Sequence, residues 1–160
     1  MRKSYDVVVV GAGVFGAWTA LSLRRLGYSV LLLDAYGPGH TRSSSGDESR
    51  LIRIGYGPDE IYSRWALRSL RLWKQFFRRM GQPLFHRTGI LWLAKREDRY
   101  LRESHRILRK LHVPVERLSR REVLRRFPQF APVDVNLALF EPESGVLMAR
   151  RAVQAVVGEA

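Results

Sequence analysis

The stretch from Tyr5 to Asp34, YDVVVVGAGVFGAWTALSLRRLGYSVLLLD, restricts the fold of this chain more than any other segment. Val7 to Val10 is an uninterrupted β-branched run, which predicts a parallel strand buried on both faces. Gly11-Ala12-Gly13-Val14-Phe15-Gly16 follows immediately. At this spacing Gly11 permits a tight turn, Gly13 allows backbone to approach a pyrophosphate, and Gly16 lets a helix lie close to the sheet. The helix expected from Val14 to Leu26 then directs its unpaired N–H groups and positive dipole end towards that pyrophosphate. Gly27 ends the helix, and Ser29 to Leu33 returns as a second parallel strand. Asp34 follows Gly16 at close to the roughly 20-residue interval at which an acidic side chain meets ribose hydroxyls, and a carboxylate there disfavours a 2′-phosphate. A glycine triplet by itself is weak evidence, but strand, helix, second strand and acid in register predict dinucleotide binding.

Val7 to Leu23 carries no formal charge, which raises the alternative of a membrane span or, behind Met1-Arg2-Lys3, a leader peptide. Asp6 at the junction, the glycine spacing and the lack of a small-residue cleavage site before Arg24-Arg25 favour a soluble, cytoplasmic chain. There is no cysteine, hence no disulfide framework and no thiolate metal site. His86, His105 and His112 lack metal-ligand spacing, so no metal is expected.

The net charge of +13 raises the question of nucleic acid. Arg64, Arg68, Arg71, Lys74 and Arg78 recur at helical spacing opposite Ile61, Tyr62, Trp65, Trp73, Phe76 and Phe77. Arg99, Arg102, Arg106 and Arg109 repeat the pattern opposite Tyr100, Leu101, Leu108 and Leu111. These are the solvated faces of amphipathic helices, and no nucleic-acid recognition motif accompanies them.

Ala35 to Ser49 reads as a loop at the carboxyl end of the second strand, where open α/β sheets bind ligands. Arg50-Leu51-Ile52-Arg53-Ile54 alternates charged and apolar positions as a short strand or turn would, a pattern able to present both guanidinium groups on one side. Pro58-Asp59-Glu60 opens a helix to about Met80. Leu84 to Arg87 and Gly89 to Ala94 predict an antiparallel hairpin around Thr88-Gly89. A helix over Asp98 to Leu111, a strand near Val113 to Arg117, a capping box at Ser119 and Glu122, strands at Leu137 to Glu141 and Val146 to Met148, and a helix from Arg150 to Val157 complete the pattern.

The predicted fold class is α/β: a Rossmann-like βαβ unit, an incomplete doubly wound sheet, followed by the beginning of an α+β domain with antiparallel strands. Two parallel strands are fewer than a dinucleotide fold needs. The chain therefore reads as the front part of a larger protein, with open sheet edges that make independent folding and cofactor retention doubtful for these residues alone.

The segments YDVVVVGAG…VLLLD, GPGHTRSSSGDESRLIR, GYGPDEIYSRWALRSLRLWKQF, TGILWLA and ESGVL together resemble the FAD-dependent amine oxidases of the sarcosine oxidase type, within the D-amino-acid oxidase class. The resemblance runs over nearly the whole chain and implies extended FAD, with Gly11, Ala12, Gly13, Val14, Phe15 and Gly16 at the pyrophosphate and Asp34 on the adenosine ribose. It implies Ser44, Ser45 and Arg50 near the cofactor, and Arg53 on the substrate carboxylate. Arginine suits both roles, because its planar fork stays charged and binds carboxylates in bidentate fashion. Residues 1–83 and 145–160 are expected to belong to a discontinuous FAD-binding domain, and 84–144 to the first part of a substrate domain. The implied activity is oxidation of a C–N bond of a secondary amine or amino acid, with hydride transfer to flavin and peroxide formed from oxygen.

Sarcosine oxidases carry histidines just before this arginine, whereas Ser43-Ser44-Ser45-Gly46 stands here and His40 lies further upstream as a loop residue. The substrate thus stays open among sarcosine, other N-methyl amino acids and a cyclic imino acid. An NAD-dependent dehydrogenase and a non-catalytic nucleotide-binding fragment are the alternatives to an oxidase.

Overall fold

The computed structural model describes residues 4–130 and 134–160, so the Met1-Arg2-Lys3 segment considered as the front of a leader lies outside the described residues. The chain divides into two compact units, residues 1–50 with 147–160 and residues 51–146. The crossings fall at 50/51 and 146/147.

In the first unit, strand β1 (Val7–Val10), helix α1 (Val14–Arg25) and strand β2 (Val30–Leu33) form the anticipated progression of strand, helix and parallel strand, paired Val7 to Val30 through Val10 to Leu33. Gly27, at φ +93°, supplies the left-handed turn that stops α1. The expectation of a strand buried on both faces is corrected: Val8 and Val10 are 53% and 82% exposed, while Val7 and Val9 are half-buried. Only the face carrying Val9 is covered by α1, so burial follows the two-residue alternation of a one-sided sheet.

Strand β3 (Arg50–Ile52) carries the chain out of the first unit, and helix α2 (Glu60–Met80) follows, ended by Gly81 at φ +65°. Leu70, Trp73, Phe76 and Phe77 are buried along α2. Ile61, Tyr62 and Trp65 were expected on that same apolar face but are exposed, so only the later turns bury their aromatic residues.

Strands β4 (Phe85–His86) and β5 (Ile90–Ala94) do not form the expected hairpin. They belong to different three-stranded sheets. Gly89, at φ +73°, turns the chain between them, and its N–H bonds Ser144 O instead of continuing a ladder with β4. The expected pattern of two adjacent runs is the same for a hairpin and for two strands with distant partners, which is why local sequence did not separate them.

Helix α3 (Arg99–Lys110) starts at Asp98, whose side chain accepts from Leu101 N–H. Strand β6 (Glu116–Ser119) leads into α4 (Arg120–Arg126), where Ser119 and Glu122 form the predicted capping box. A 3-10 turn at Pro128–Phe130 is followed by β7 (Leu137–Glu141), β8 (Gly145–Leu147) and α5 (Ala149–Glu159). The two larger sheets run β3-β8-β4 and β5-β7-β6, the second antiparallel throughout.

The β5-β7-β6 sheet is used on both faces. Leu118 and Ala138 pack with Val123 of α4 and with Val135 before β7, joined by Leu91, Leu93, Phe127 and Phe140. The register places Ile90, Trp92, Leu139 and Glu141 on the opposite face. A second core joins Ile54, Leu70, Leu108 and Val113. Among the described residues no helix is long and apolar enough to cross a membrane.

Leu108 is fully buried in this second core. Leu108→Ala should therefore cost about 2–5 kcal/mol by denaturant titration followed through tryptophan fluorescence. The exposed Leu72→Ala should change the midpoint by about 0.5 kcal/mol or less. Equal effects at the two positions would contradict this placement of the core.

Candidate functional site

The turn from β1 into α1 is built on one close approach. A Cβ on Gly16 would lie 1.7 Å from the Gly11 carbonyl oxygen and 3.5 Å from Val9, so any side chain at position 16 would push the helix off the strand. Gly11 adopts φ +100°, a conformation that a side chain disfavours. A Cβ on Gly13 would meet only Ser45 Oγ, at 3.6 Å, which leaves the backbone open to a ligand. The recorded helical bonding of α1 begins with Ala17 N–H donating to Gly13 O. The N–H groups of Phe15 and Gly16 thus stand at the helix end, where the dipole favours an anion.

Asp34 and Ser45 brace this turn. Asp34 Oδ2 accepts from Ala12 N–H at 2.7 Å, and Oδ1 accepts from Tyr36 and Gly37 N–H at 2.8 and 2.9 Å. The Ala12 N–H first, and then that of Tyr36, hold the Asp34 carboxyl below its ordinary value of 3.8, against partial desolvation. Val14 N–H donates to the buried Ser45 Oγ at 3.1 Å. Ser44 is exposed, and its carbonyl accepts from Arg50 at 2.7 Å.

The serine loop is held by groups the sequence did not single out. Arg150 of α5 donates through Nε and a terminal nitrogen to Gly46 O at 3.1 and 2.9 Å. The N–H groups of Ala149 and Arg150 donate to Glu48 and Asp47 carbonyls. The start of α5 thus uses its unpaired donors to fix the loop that presents Ser45. The one available signal was the position of Arg150 in the first turn of the last predicted helix. His40 accepts Arg42 N–H at Nδ1 and stacks on Tyr36, a loop-building role.

The two arginines have different surroundings. Arg50 pairs with Asp47 at 2.5 Å in a half-exposed contact of the kind that contributes little stability. Arg53, in the second unit, is half-buried, its guanidinium 5.0 Å from the Tyr56 ring centre and 4.8 Å from that of Trp92. Both lie within cation–π range. No carboxylate among the described residues forms an ion pair with it. Arg50 is the first residue of β3, which ends at Ile52, so Arg53 lies just beyond the strand.

Around Arg53, Trp92 and Tyr100 rings lie 5.8 Å apart, and Tyr100 packs over Gly57 so closely that a Cβ there would meet the ring at 2.5 Å. Burial raises the Tyr100 phenol above its ordinary 10.0, opposed by the Arg53 charge, so the phenol stays protonated at neutral pH. Trp92 is tied by its indole N–H to Glu141. Two depressions of about 580 and 200 Å³ in the second unit, reached by Lys74 in both cases, contain none of the sequence-predicted site residues.

Two parallel strands joined by a helix across this glycine turn, with an acid at the end of the second strand, define a dinucleotide-binding βαβ unit of the α/β class. The chain belongs to the FAD dependent oxidoreductase (DAO) family, whose model matches residues 6–160. Over 153 residues it is 31% identical to the N-methyl-L-tryptophan oxidases of Yersinia pestis (strain Pestoides F) and Yersinia pseudotuberculosis serotype O:1b, covering 96% of this chain and 41% of each relative. The chain thus spans about two fifths of the length of the curated relatives it matches. Its fold matches that of L-proline dehydrogenase from P. horikoshii with a TM-score of 0.87 at 24% identity, over 99% of this chain and 42% of that one. NikD, an unusual amino acid oxidase essential for nikkomycin biosynthesis, matches with a TM-score of 0.78 at 26% identity, over 99% and 41%.

The lowered pKa of Asp34 fixes a sign. A carboxyl depressed on folding contributes stability that is present above its unfolded value and is lost as pH falls through the folded value. Asp34→Asn should therefore show a shallower fall in Tm than the parent from about pH 4 downwards. Identical slopes in an acid series of melting curves would remove Asp34 as a contributor.

Proposed function

We propose that this chain supplies the nucleotide-binding turn and a substrate anchor of an FAD-dependent oxidase acting on the C–N bond of a secondary amine or amino acid. Gly11, Ala12, Gly13, Val14, Phe15, Gly16 and Ser45 surround the pyrophosphate in this reading. The open backbone at Gly13 and the donors at the start of α1 fit that group. Asp34 Oδ2 accepts a single recorded N–H, which leaves a lone pair for a ribose hydroxyl. Ser44 and Arg50 are assigned to the flavin side. Residues 1–83 with 145–160 form parts of the FAD-binding domain, and 84–144 the first part of the substrate domain.

Held by the glycine turn, Asp34 and Ser45, FAD would supply a two-electron acceptor for hydride from the carbon next to the amine nitrogen, leaving an imine for hydrolysis, and oxygen would take the two electrons with two protons as hydrogen peroxide. The protein's part is to orient the substrate. One observation carries this: Arg53 is a half-buried guanidinium held between two aromatic faces, with no carboxylate paired to it among the described residues. Partial desolvation strengthens its attraction for an incoming carboxylate, and the rings limit the directions in which its donors point. N-methyl-L-tryptophan, named for the Yersinia relatives, is the first substrate to test, followed by sarcosine and cyclic imino acids. The setting is the cytoplasm.

The protein from the whole reading frame should show visible flavin absorbance and release peroxide with one of these amines. Colourless protein that binds nicotinamide would instead favour a dehydrogenase. Arg53→Met should retain FAD yet weaken carboxylate-bearing substrates by about 10- to 100-fold. Gly16→Ala should lose FAD through displacement of the turn. Equal loss of flavin and substrate in the Arg53 variant would remove its carboxylate role.

A further inference from the structure

Glu141 is completely buried, yet it bears on neither the glycine turn nor the serine loop. Burying a carboxylate is costly unless its oxygens are fully hydrogen-bonded, and an apolar residue of similar size often serves stability as well. Here four donors meet it. Oε2 accepts from Ile54 N–H and Ser144 Oγ, both at 2.7 Å. Oε1 accepts from Gly55 N–H at 3.1 Å and from the Trp92 indole N–H at 2.8 Å.

Three of those donors, from Ile54, Gly55 and Trp92, bear on Arg53. Ile54 and Gly55 are the next two residues of the chain, so their N–H bonds fix the backbone from which the Arg53 side chain departs. Trp92 is one of the two rings that hold the guanidinium, and its indole N–H ties that ring in place. The register explains the reach: Trp92 faces Leu139 and Ile90 faces Glu141, which puts Trp92 and Glu141 diagonally across one face of β5 and β7. Position 55 is shaped by the same group, because a Cβ there would lie 2.9 Å from Oε1.

We propose that Glu141 is the positioning residue for Arg53, setting both its backbone and its aromatic clamp so that the guanidinium is preorganised for a carboxylate. This rests on the assignment of Arg53 given above. Glu141 does not touch the ligand. It acts by restricting the arginine, so its loss costs discrimination for carboxylate as well as stability.

The variant E141Q offers one acceptor oxygen and an NH2 group, which must confront either the Ile54 N–H or the Gly55 and Trp92 donors. W92F keeps a ring face for Arg53 and removes only the indole donor. The test uses indole-3-acetate and indole-3-acetamide, which differ in charge and lack an oxidisable amine. Their Kd values are measured by isothermal titration calorimetry on the protein from the whole reading frame, alongside Tm. The parent should prefer the carboxylate, Arg53→Met should abolish the preference, and E141Q and W92F should each reduce it about tenfold, the scale of one hydrogen bond to a charged group. If E141Q does not fold, W92F decides. A lowered Tm with the parental preference intact in the folded variants overturns the positioning role while Arg53→Met still upholds the anchor. No preference in the parent, or a preference unchanged in Arg53→Met, overturns both.

Discussion

The second unit is organised by the need to satisfy one buried carboxylate. Glu141 collects donors from the segment after β3, from β5 and from the turn after β7, and each would be left unpaired in the interior without it. Hydrophobic contact alone tolerates sliding and repacking, whereas four directional bonds to two oxygens do not. The adjoining apolar residues then close around a fixed polar point: Ile54, itself a donor to Glu141, is also a member of the core with Leu70, Leu108 and Val113.

The first unit depends on a constraint of the opposite kind, the absence of side chains. Gly16 sits where a single methyl group would collide with the Gly11 carbonyl, and this proximity brings α1 down onto the Val9 face of β1. Ala12 and Val14 N–H groups are then bound by Asp34 and Ser45, which arrive from the end of β2 and from the serine loop. Arg150 and the first N–H groups of α5 secure that loop. Family membership and the geometry agree on the kind of ligand such a turn accommodates, and the matched region covers 41% of the length of the curated relatives.

Most elements were legible because their signals are local. The glycine spacing, the Gly27 stop, the Ser119–Glu122 box and the amphipathic period of α3 each act within a few residues. The errors share a cause as well. Phe85–His86 and Ile90–Ala94 resembled a hairpin because strand character is local but strand partners are not. Ile61, Tyr62 and Trp65 fitted an apolar face whose period was right, although only the later turns of α2 bury it. Val8 and Val10 show the same effect in a strand, since β-branched residues report strand preference and not which face is covered.

The sequence by itself determined the βαβ unit, its glycine turn, Asp34 at the end of β2, and the arginine segment that carries the resemblance to flavin oxidases. These depend on backbone conformation and on spacings of a few residues, which composition and order encode directly. Tertiary structure alone decided that Arg150 braces the serine loop, that Arg50 is tied to Asp47 and Ser44, and that Arg53 rests between Tyr56 and Trp92. It also joined Glu141 to Ile54 and Gly55 across most of the second unit's sequence. Such contacts link residues far apart in the chain, and their geometry arises only when strand register brings the donors to one carboxylate.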